Sequence, residues 1–335
     1  MASLDVKNMA GPPDTYGGFE DEYWATCEKA GIANRSDVGL LTLVGRDRST
    51  FLNGLLTNDI ANLKEHQGIR ACLLTPKARI QAELYIHNLG EKLLVETGNA
   101  DPSKIKAVLD RFIITEDVQI QETKGKLTLL TVQGPKAAET IKEAVRADVS
   151  ALQRLANQEL GPSMIVNHDR TGKSGYDIIL PAEESDAVWQ GFLLKGVVPI
   201  GATALNVLRL EACIPRYGVD IDENTLVLEA GMKDAISFSK GCYMGQETVA
   251  RATFIGHVNK RLAQFTANSK ASLGPATKLY GENREAGIIT SSAYSPALKS
   301  VVGLGYFQKD FAKEGTRVQA RAGQGLVEAT ITKLA

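Results

Sequence analysis

The sequence predicts an α+β chain that closes in a small antiparallel β-barrel. Two features carry this expectation. Between Val38 and Leu194, branched apolar runs of strand length alternate with stretches of helical spacing. After about Arg261 the texture changes to short alternating strands separated by glycines, the pattern of a small barrel. At 335 residues the chain is long enough for two or three domains.

Val38 to Val44 (VGLLTLV) is rich in branched residues and predicts a strand. Gly45-Arg46-Asp47 turns the chain, and Asp47 is placed to cap a helix carrying Phe51, Leu52, Leu55 and Leu56. Cys72 to Thr75 and Ile80 to His87 predict paired strands around Pro76-Lys77, and Leu93 to Glu96 a further strand. Asp101-Pro102 predicts a helix start, with Asp as cap and Pro in the first turn; Ile105, Val108, Leu109 and Phe112 form its apolar stripe. Leu127 to Val132 predicts a strand, followed beyond Gly134-Pro135 by a helix through Val145. Ser163 to Asn167 and Tyr176 to Leu180 bracket a turn as two strands, and Glu183 to Leu194 is helical. In the tail, Ala286 to Thr290, Val301 to Phe307, Arg317 to Arg321 and Val327 to Leu334 predict barrel strands. The expected boundaries are a loose arm over 1–30, α+β domains over 31–125 and 126–260, and the barrel over 261–335.

Composition narrows the function classes. Hydrophobic residues at 44% and charged residues at 23% are an ordinary soluble balance. No run approaches the roughly 20 apolar residues of a membrane span. A net charge of -1 gives no basic face for nucleic acid. Asp5, Asp14, Glu20, Asp21 and Glu22 are the wrong composition for a transit peptide, and no apolar leader core is present, so a cytoplasmic protein is expected. Gly11-Pro12-Pro13 and Gly17-Gly18 account for the loose arm. Cys27, Cys72, Cys213 and Cys242 are far apart, which argues against a disulfide framework and against a zinc or cluster site; no metal is expected. His66, His87, His168 and His257 show no ligand spacing and are expected at the surface or hydrogen-bonded.

The least ordinary segment is Lys240-Gly241-Cys242-Tyr243-Met244-Gly245-Gln246-Glu247. Its glycines permit φ > 0 and a close backbone approach, and Lys240 places a positive charge near the thiol, which favours a thiolate. Cys242 as a presented, reactive thiol with Lys240 beside it is one reading. A buried small cysteine in a tight turn is the other.

KGCYMGQE, followed by Arg251 and by Gly256-His257-Val258-Asn259-Lys260-Arg261, resembles the signature of YgfZ-type folate-binding proteins of the aminomethyltransferase superfamily. Leu208-Arg209-Leu210-Glu211, Tyr217-Gly218-Val219-Asp220 and Glu229-Ala230-Gly231 resemble a run shared with aminomethyltransferases, as does Phe51-Leu52 with Thr57-Asn58-Asp59. The resemblance spans about Arg35 to the end. It implies a three-domain cloverleaf around a central channel that holds tetrahydrofolate. It also implies an auxiliary factor in iron–sulfur cluster assembly or repair, working through Cys242 on client or assembly proteins; a monomer is expected. Folate needs polar groups for its pterin edge and a cation for its glutamate tail, and Arg209, Glu211 and Tyr217 are of those types. On a strand, Arg209 and Glu211 would face one side; a surface ion pair is the plain alternative.

Two departures separate the chain from a working aminomethyltransferase. Ala82 in Arg79-Ile80-Gln81-Ala82-Glu83-Leu84 stands where the resemblance places an acid, so acid–base work there has no carrier, and Glu83 is set on the opposite strand face. Thr171-Gly172-Lys173 carries a cation where a pterin-holding carboxylate is expected. Folate-dependent one-carbon transfer is the alternative function. Gly172-Lys173-Ser174 is not a P-loop, because Asn167 replaces its first glycine and strand rather than helix follows.

Overall fold

A computed structural model describes residues 9–254, 256–322 and 325–335. The chain begins with α1 (Phe19–Glu28), β1 (Gly31–Asn34), β2 (Gly39–Val44) and α2 (Arg48–Leu55). It continues through β3 (Gly68–Leu74), β4 (Ile80–Asn88), β5 (Leu93–Gly98), α3 (Pro102–Asp110) and β6 (Gln119–Glu122). Next come β7 (Leu127–Gln133), α4 (Ala137–Val145), β8 (Asn157–Leu160), β9 (Ser163–Asn167), β10 (Gly175–Pro181) and α5 (Ser185–Leu194). β11 (Val198–Pro199), α6 (Ala202–Glu211) and α7 (Gln246–Phe254) lead into β12 (Lys260–Ala267), β13 (Lys278–Gly281) and β14 (Arg284–Ser295). β15 (Ser300–Gln308), β16 (Arg317–Ala322) and β17 (Gly325–Leu334) complete the chain.

The strands form a five-stranded sheet (β3-β4-β5-β2-β6), a six-stranded sheet (β11-β1-β7-β10-β9-β8) and a closed antiparallel barrel (β12-β15-β14-β13-β16-β17). The chain divides into two compact units, 1–71 with 83–205 and 72–82 with 206–335. The tip of the β3–β4 hairpin belongs to the second unit because Cys72, Leu74, Ala78 and Ile80 bury their side chains with Leu210, Ile221, Val227 and Met232. Segments far apart in sequence share one apolar core, and the area removed from water decides membership.

In the first unit the six-stranded sheet is a middle layer. Ile32, Leu130, Val132, Ile165, Ile178 and Leu180 pack outward against α4 and α5 through Ile141, Trp189 and Phe192. On its other face Leu129, Met164, Val166 and Ile179 meet Val38, Leu40 and Leu94 of the five-stranded sheet. The expected helix start at Asp101 is present: the Asp101 carboxylate accepts from Ser103 N at 3.0 Å and Pro102 opens the helix. Asp47 precedes α2 but makes no side-chain cap bond.

The loose arm expected over 1–30 contains α1, whose Tyr23 is fully buried. Buried Glu22 fastens it, accepting from Tyr16 N at 2.5 Å, Gly17 N at 3.0 Å and Gly201 N at 2.8 Å. A carboxylate bonded three times by backbone N–H groups is well satisfied even out of water. Residues 1–8 lie outside the described part.

The tail closes as the alternation predicts, with Phe265, Leu279, Ile289, Val301, Phe307, Val318 and Ile331 inside the barrel. Gly303 opposes Phe265 across β12–β15, and a Cβ there would sit 2.6 Å from the ring. The ring takes the space that the glycine leaves. β12 and β13 were not expected from the pattern, because Gln264 and Thr266 interrupt one and the other is four residues long.

Candidate functional site

Two polar assemblies stand out, one in each unit. In the first unit, the layer between the two sheets is apolar at one end and ionic at the other. Tyr85 pairs with Glu96 across β4–β5, so these residues share a face with Glu83 and His87. Asp177 pairs with Thr131 and Val166, and so lies on the face of β10 that also carries Ile179.

Arg170, just past β9, joins the two sheets. Its Nη2 donates to the Glu96 carboxylate at 2.7 and 2.9 Å and to Asp177 at 2.6 Å, and its Nε donates to Asp177 at 3.0 and 3.1 Å. His168 Nδ1 lies 3.0 Å from Asp177 and 3.8 Å from Glu96, with its ring 4.5 Å from that of Tyr85. Thr131 donates to Asp177 at 2.6 Å, and Gln133 binds Thr131, the His168 carbonyl and Arg170 N. Beside this, Arg70 holds Glu83 at 2.7 Å and the Tyr85 hydroxyl donates to Glu83 at 2.9 Å.

Burial opposes the charges here, and the pairing overrides it. Asp177 is held well below the usual carboxylate range by Arg170 and His168, despite desolvation. Arg170 is held above its ordinary range by Asp177 and Glu96, again against desolvation. Burial, then Glu83, pushes the Tyr85 hydroxyl far up. His87 is fully buried, and burial lowers its imidazole to about 4. Among the described residues neither of its ring nitrogens makes a hydrogen bond of ordinary geometry, and the Leu155 backbone is the polar group that approaches it.

His168, expected at the surface or hydrogen-bonded, is buried and paired with Asp177; His87, under the same expectation, is fully buried, and among the described residues its ring nitrogens make no hydrogen bond of ordinary geometry. This cluster is not legible in the sequence, because Glu96 comes from a segment more than seventy residues before His168, Arg170 and Asp177. A signal was nonetheless available. Glu96 ends and Asp177 interrupts a run of apolar strand residues, where a charge is rarely found unless paired.

The second unit carries the residues singled out from the sequence. Arg209 and Glu211 lie on helix α6, not on a strand. Buried Arg209 donates to Asp220, to the Ile214 carbonyl at 3.2 Å, to Asn206 at 3.0 Å and to Ser291 at 3.1 Å. Burial lowers its pKa, with Asp220 opposing. Glu211 accepts from Ser295 at 2.7 Å. The Tyr217 hydroxyl donates to the Gln81 carbonyl at 2.5 Å and is pushed up to about 12 by burial and by Glu223. Ala82 is fully buried.

In KGCYMGQE only Gly245 has a positive φ, +83°, and its α-carbon lies so close to Thr75 that a Cβ would sit 2.7 Å from the carbonyl; Gly241 is unconstrained. Tyr243 is buried in the core, and Lys240 Nζ lies 5.2 Å from the centre of its ring. Gln246–Phe254 is α7. Cys242 is exposed, Cys27 partly so, and Cys72 and Cys213 are buried, the latter pushed up to about 11 by burial. Iodoacetamide at neutral pH is therefore expected to modify Cys242 first and Cys27 next, with Cys72 and Cys213 protected until unfolding. Peptide mass spectrometry over a time course checks the order; early labelling of Cys72 or Cys213 would contradict it.

A two-sheet α+β body followed by a closed six-stranded barrel, with polar assemblies built into both units, defines the architecture of a glycine-cleavage T-type chain. Residues 9–240 match the family described as the GCVT N-terminal domain, and residues 260–335 the glycine cleavage T-protein C-terminal barrel domain. The chain belongs to the glycine cleavage T-protein family. An aminomethyltransferase of Rubrobacter xylanophilus is 31% identical over 301 residues, 88% of this chain and 80% of that protein. One from Thermosipho melanesiensis is 27% identical over 332 residues, 96% of this chain and 90% of that protein. The crystal structure of glycine cleavage system aminomethyltransferase T from Bartonella henselae has the same fold, with a TM-score of 0.90 at 23% identity, covering 96% of this chain and 90% of that one. No helix among the described residues is long and apolar enough to cross a membrane.

Proposed function

We propose that this protein binds a reduced folate, tetrahydrofolate or a close derivative, and acts in one-carbon transfer. The supporting observation is the end-to-end likeness to proteins named aminomethyltransferase, through both the body and the barrel. In this reading Tyr217 and Glu211 contact the folate. Arg209 positions them, because it binds the Ile214 carbonyl and Asp220 at the two ends of the Tyr217 loop. Calorimetric titration with tetrahydrofolate is expected to show saturable binding that weakens at least about tenfold in Tyr217→Ala, the loss of one well-placed contact. Absence of heat at millimolar folate would sink the reading.

A second reading is an auxiliary factor for iron–sulfur cluster assembly or repair, with Cys242 as its working thiol and Lys240 beside it. One observation favours it: the cysteine inside the YgfZ-like KGCYMGQE segment is the exposed one. Ala82 agrees with it, since an alanine carries no proton to the folate. The readings part in two measurements. Ammonia release from an aminomethylated lipoyl carrier, with folate present, supports transfer. Loss of cellular iron–sulfur enzyme activity in Cys242→Ala, with an unchanged melting temperature, supports the auxiliary role.

A further inference from the structure

We propose that Glu96, His168 and Asp177 form a binding site for a divalent transition-metal ion, and that Arg170 is the cation that closes the site when no ion is bound. This is independent of the folate reading.

The argument starts from charge. Glu96 and Asp177 are each about 1% exposed. Arg170 supplies one positive charge to two carboxylates, while Glu83 is already matched by Arg70. Buried charges persist only when matched, and here the match is made by Arg170 together with the His168 imidazole 3.0 Å from Asp177. A divalent ion in place of the guanidinium would match both.

Geometry and ligand chemistry agree. One ligand atom from each of Glu96, His168 and Asp177 lies within 4.8 Å of the others. His168 Nδ1 stands 3.0 Å from Asp177 and 3.8 Å from Glu96, spacings that a central ion with bonds of roughly 2.1 Å can span. An imidazole with two carboxylates suits manganese, iron or zinc rather than calcium.

A separate observation points to a ligand. His87 shares a strand face with Tyr85, whose cross-strand partner is Glu96. It is fully buried, and among the described residues neither ring nitrogen makes a hydrogen bond of ordinary geometry. An imidazole left so is costly unless something completes it. Arg170 is also the most accessible member of the cluster, at 13% against 8% for His168.

The probe is Mn²⁺, whose preference for oxygen and imidazole ligands keeps it off the exposed Cys242 thiol. Full-length protein is stripped with a chelator, then titrated and followed by calorimetry and by the loss of the free-ion electron paramagnetic resonance signal. Uptake of about one ion per chain is expected. Glu96→Gln is expected to weaken it by more than about 100-fold, beyond the effect of an outer-shell partner. Arg170→Gln should bind at least about tenfold more tightly, since a competing charge roughly 4 Å away is gone. Its melting temperature, lowered in the stripped state, should rise again with Mn²⁺, which keeps the test valid if Glu96→Gln does not fold. No uptake by the wild-type chain together with no recovery of Arg170→Gln would overturn the proposal. So would uptake unchanged in folded Glu96→Gln.

Discussion

Replacing Arg170 with glutamine, in the presence of chelator, is expected to cost about 3–5 kcal/mol of folding stability. Five short contacts tie this guanidinium to Glu96 and Asp177, both almost wholly out of water. A buried pair adds little over an apolar core of the same shape, but removing one partner strands the other charge, and here two charges are stranded. The pH dependence should change sign. In the wild type the Asp177 carboxyl is depressed in the fold, so its contribution is present above the unfolded pKa, about 3.9, and is lost as pH falls. Without Arg170, desolvation dominates and raises the folded carboxyl values. Stability then improves as the groups protonate and is lost as pH rises, so the deficit of Arg170→Gln should shrink between pH 7 and about pH 5. Urea unfolding at both pH values measures it. A loss below about 1 kcal/mol at pH 7 would mean that the cluster is wetter and less coupled than its geometry indicates.

Arg209→Ala is expected to cost a similar amount, about 3–5 kcal/mol, for the same physical reason. Arg209 is buried against Asp220, which also accepts from Arg216 N, Thr290 and Ser291. This node links α6, the Tyr217 loop and barrel strand β14 within the second unit. Alanine leaves Asp220 charged, buried and without the Arg209 guanidinium. The double variant Arg209→Met/Asp220→Leu should recover much of the loss, because apolar residues of similar volume replace buried ion pairs at little cost. Denaturation of the single and double variants, read as a cycle, separates the pair energy from cavity effects. If Arg209→Ala unfolds like the wild type but no longer takes up folate, Arg209 is a ligand contact and not the positioning residue described above.

The sequence by itself determined much of the fold. Strand and helix periodicities located the two-sheet body, and the glycine-separated alternation after Arg261 located the barrel, because which face of an element is apolar is a local property of the chain. Asp101-Pro102 announced α3 through its own cap bond, which needs no distant partner. KGCYMGQE was legible as unusual because two glycines around one cysteine is a local pattern.

Tertiary structure decided the rest. Whether Cys242 is exposed depends on Tyr243 anchoring its loop in a core supplied by other segments. The hairpin tip 72–82 joined the second unit because its apolar side chains are buried with Leu210, Val227 and Met232. Arg209 and Glu211 read equally well as strand neighbours until α6 formed. The meeting of Glu96, His168, Arg170 and Asp177 is written in no single segment. His168 and Arg170 share the polar stretch after β9, whereas Glu96 and Asp177 stand among apolar strand residues, and the pairing of β5 with β4 and of β10 with β7 and β9 sets them in place. Sequence spacing reports neighbours along the chain, whereas matching of buried charge is settled by neighbours in space.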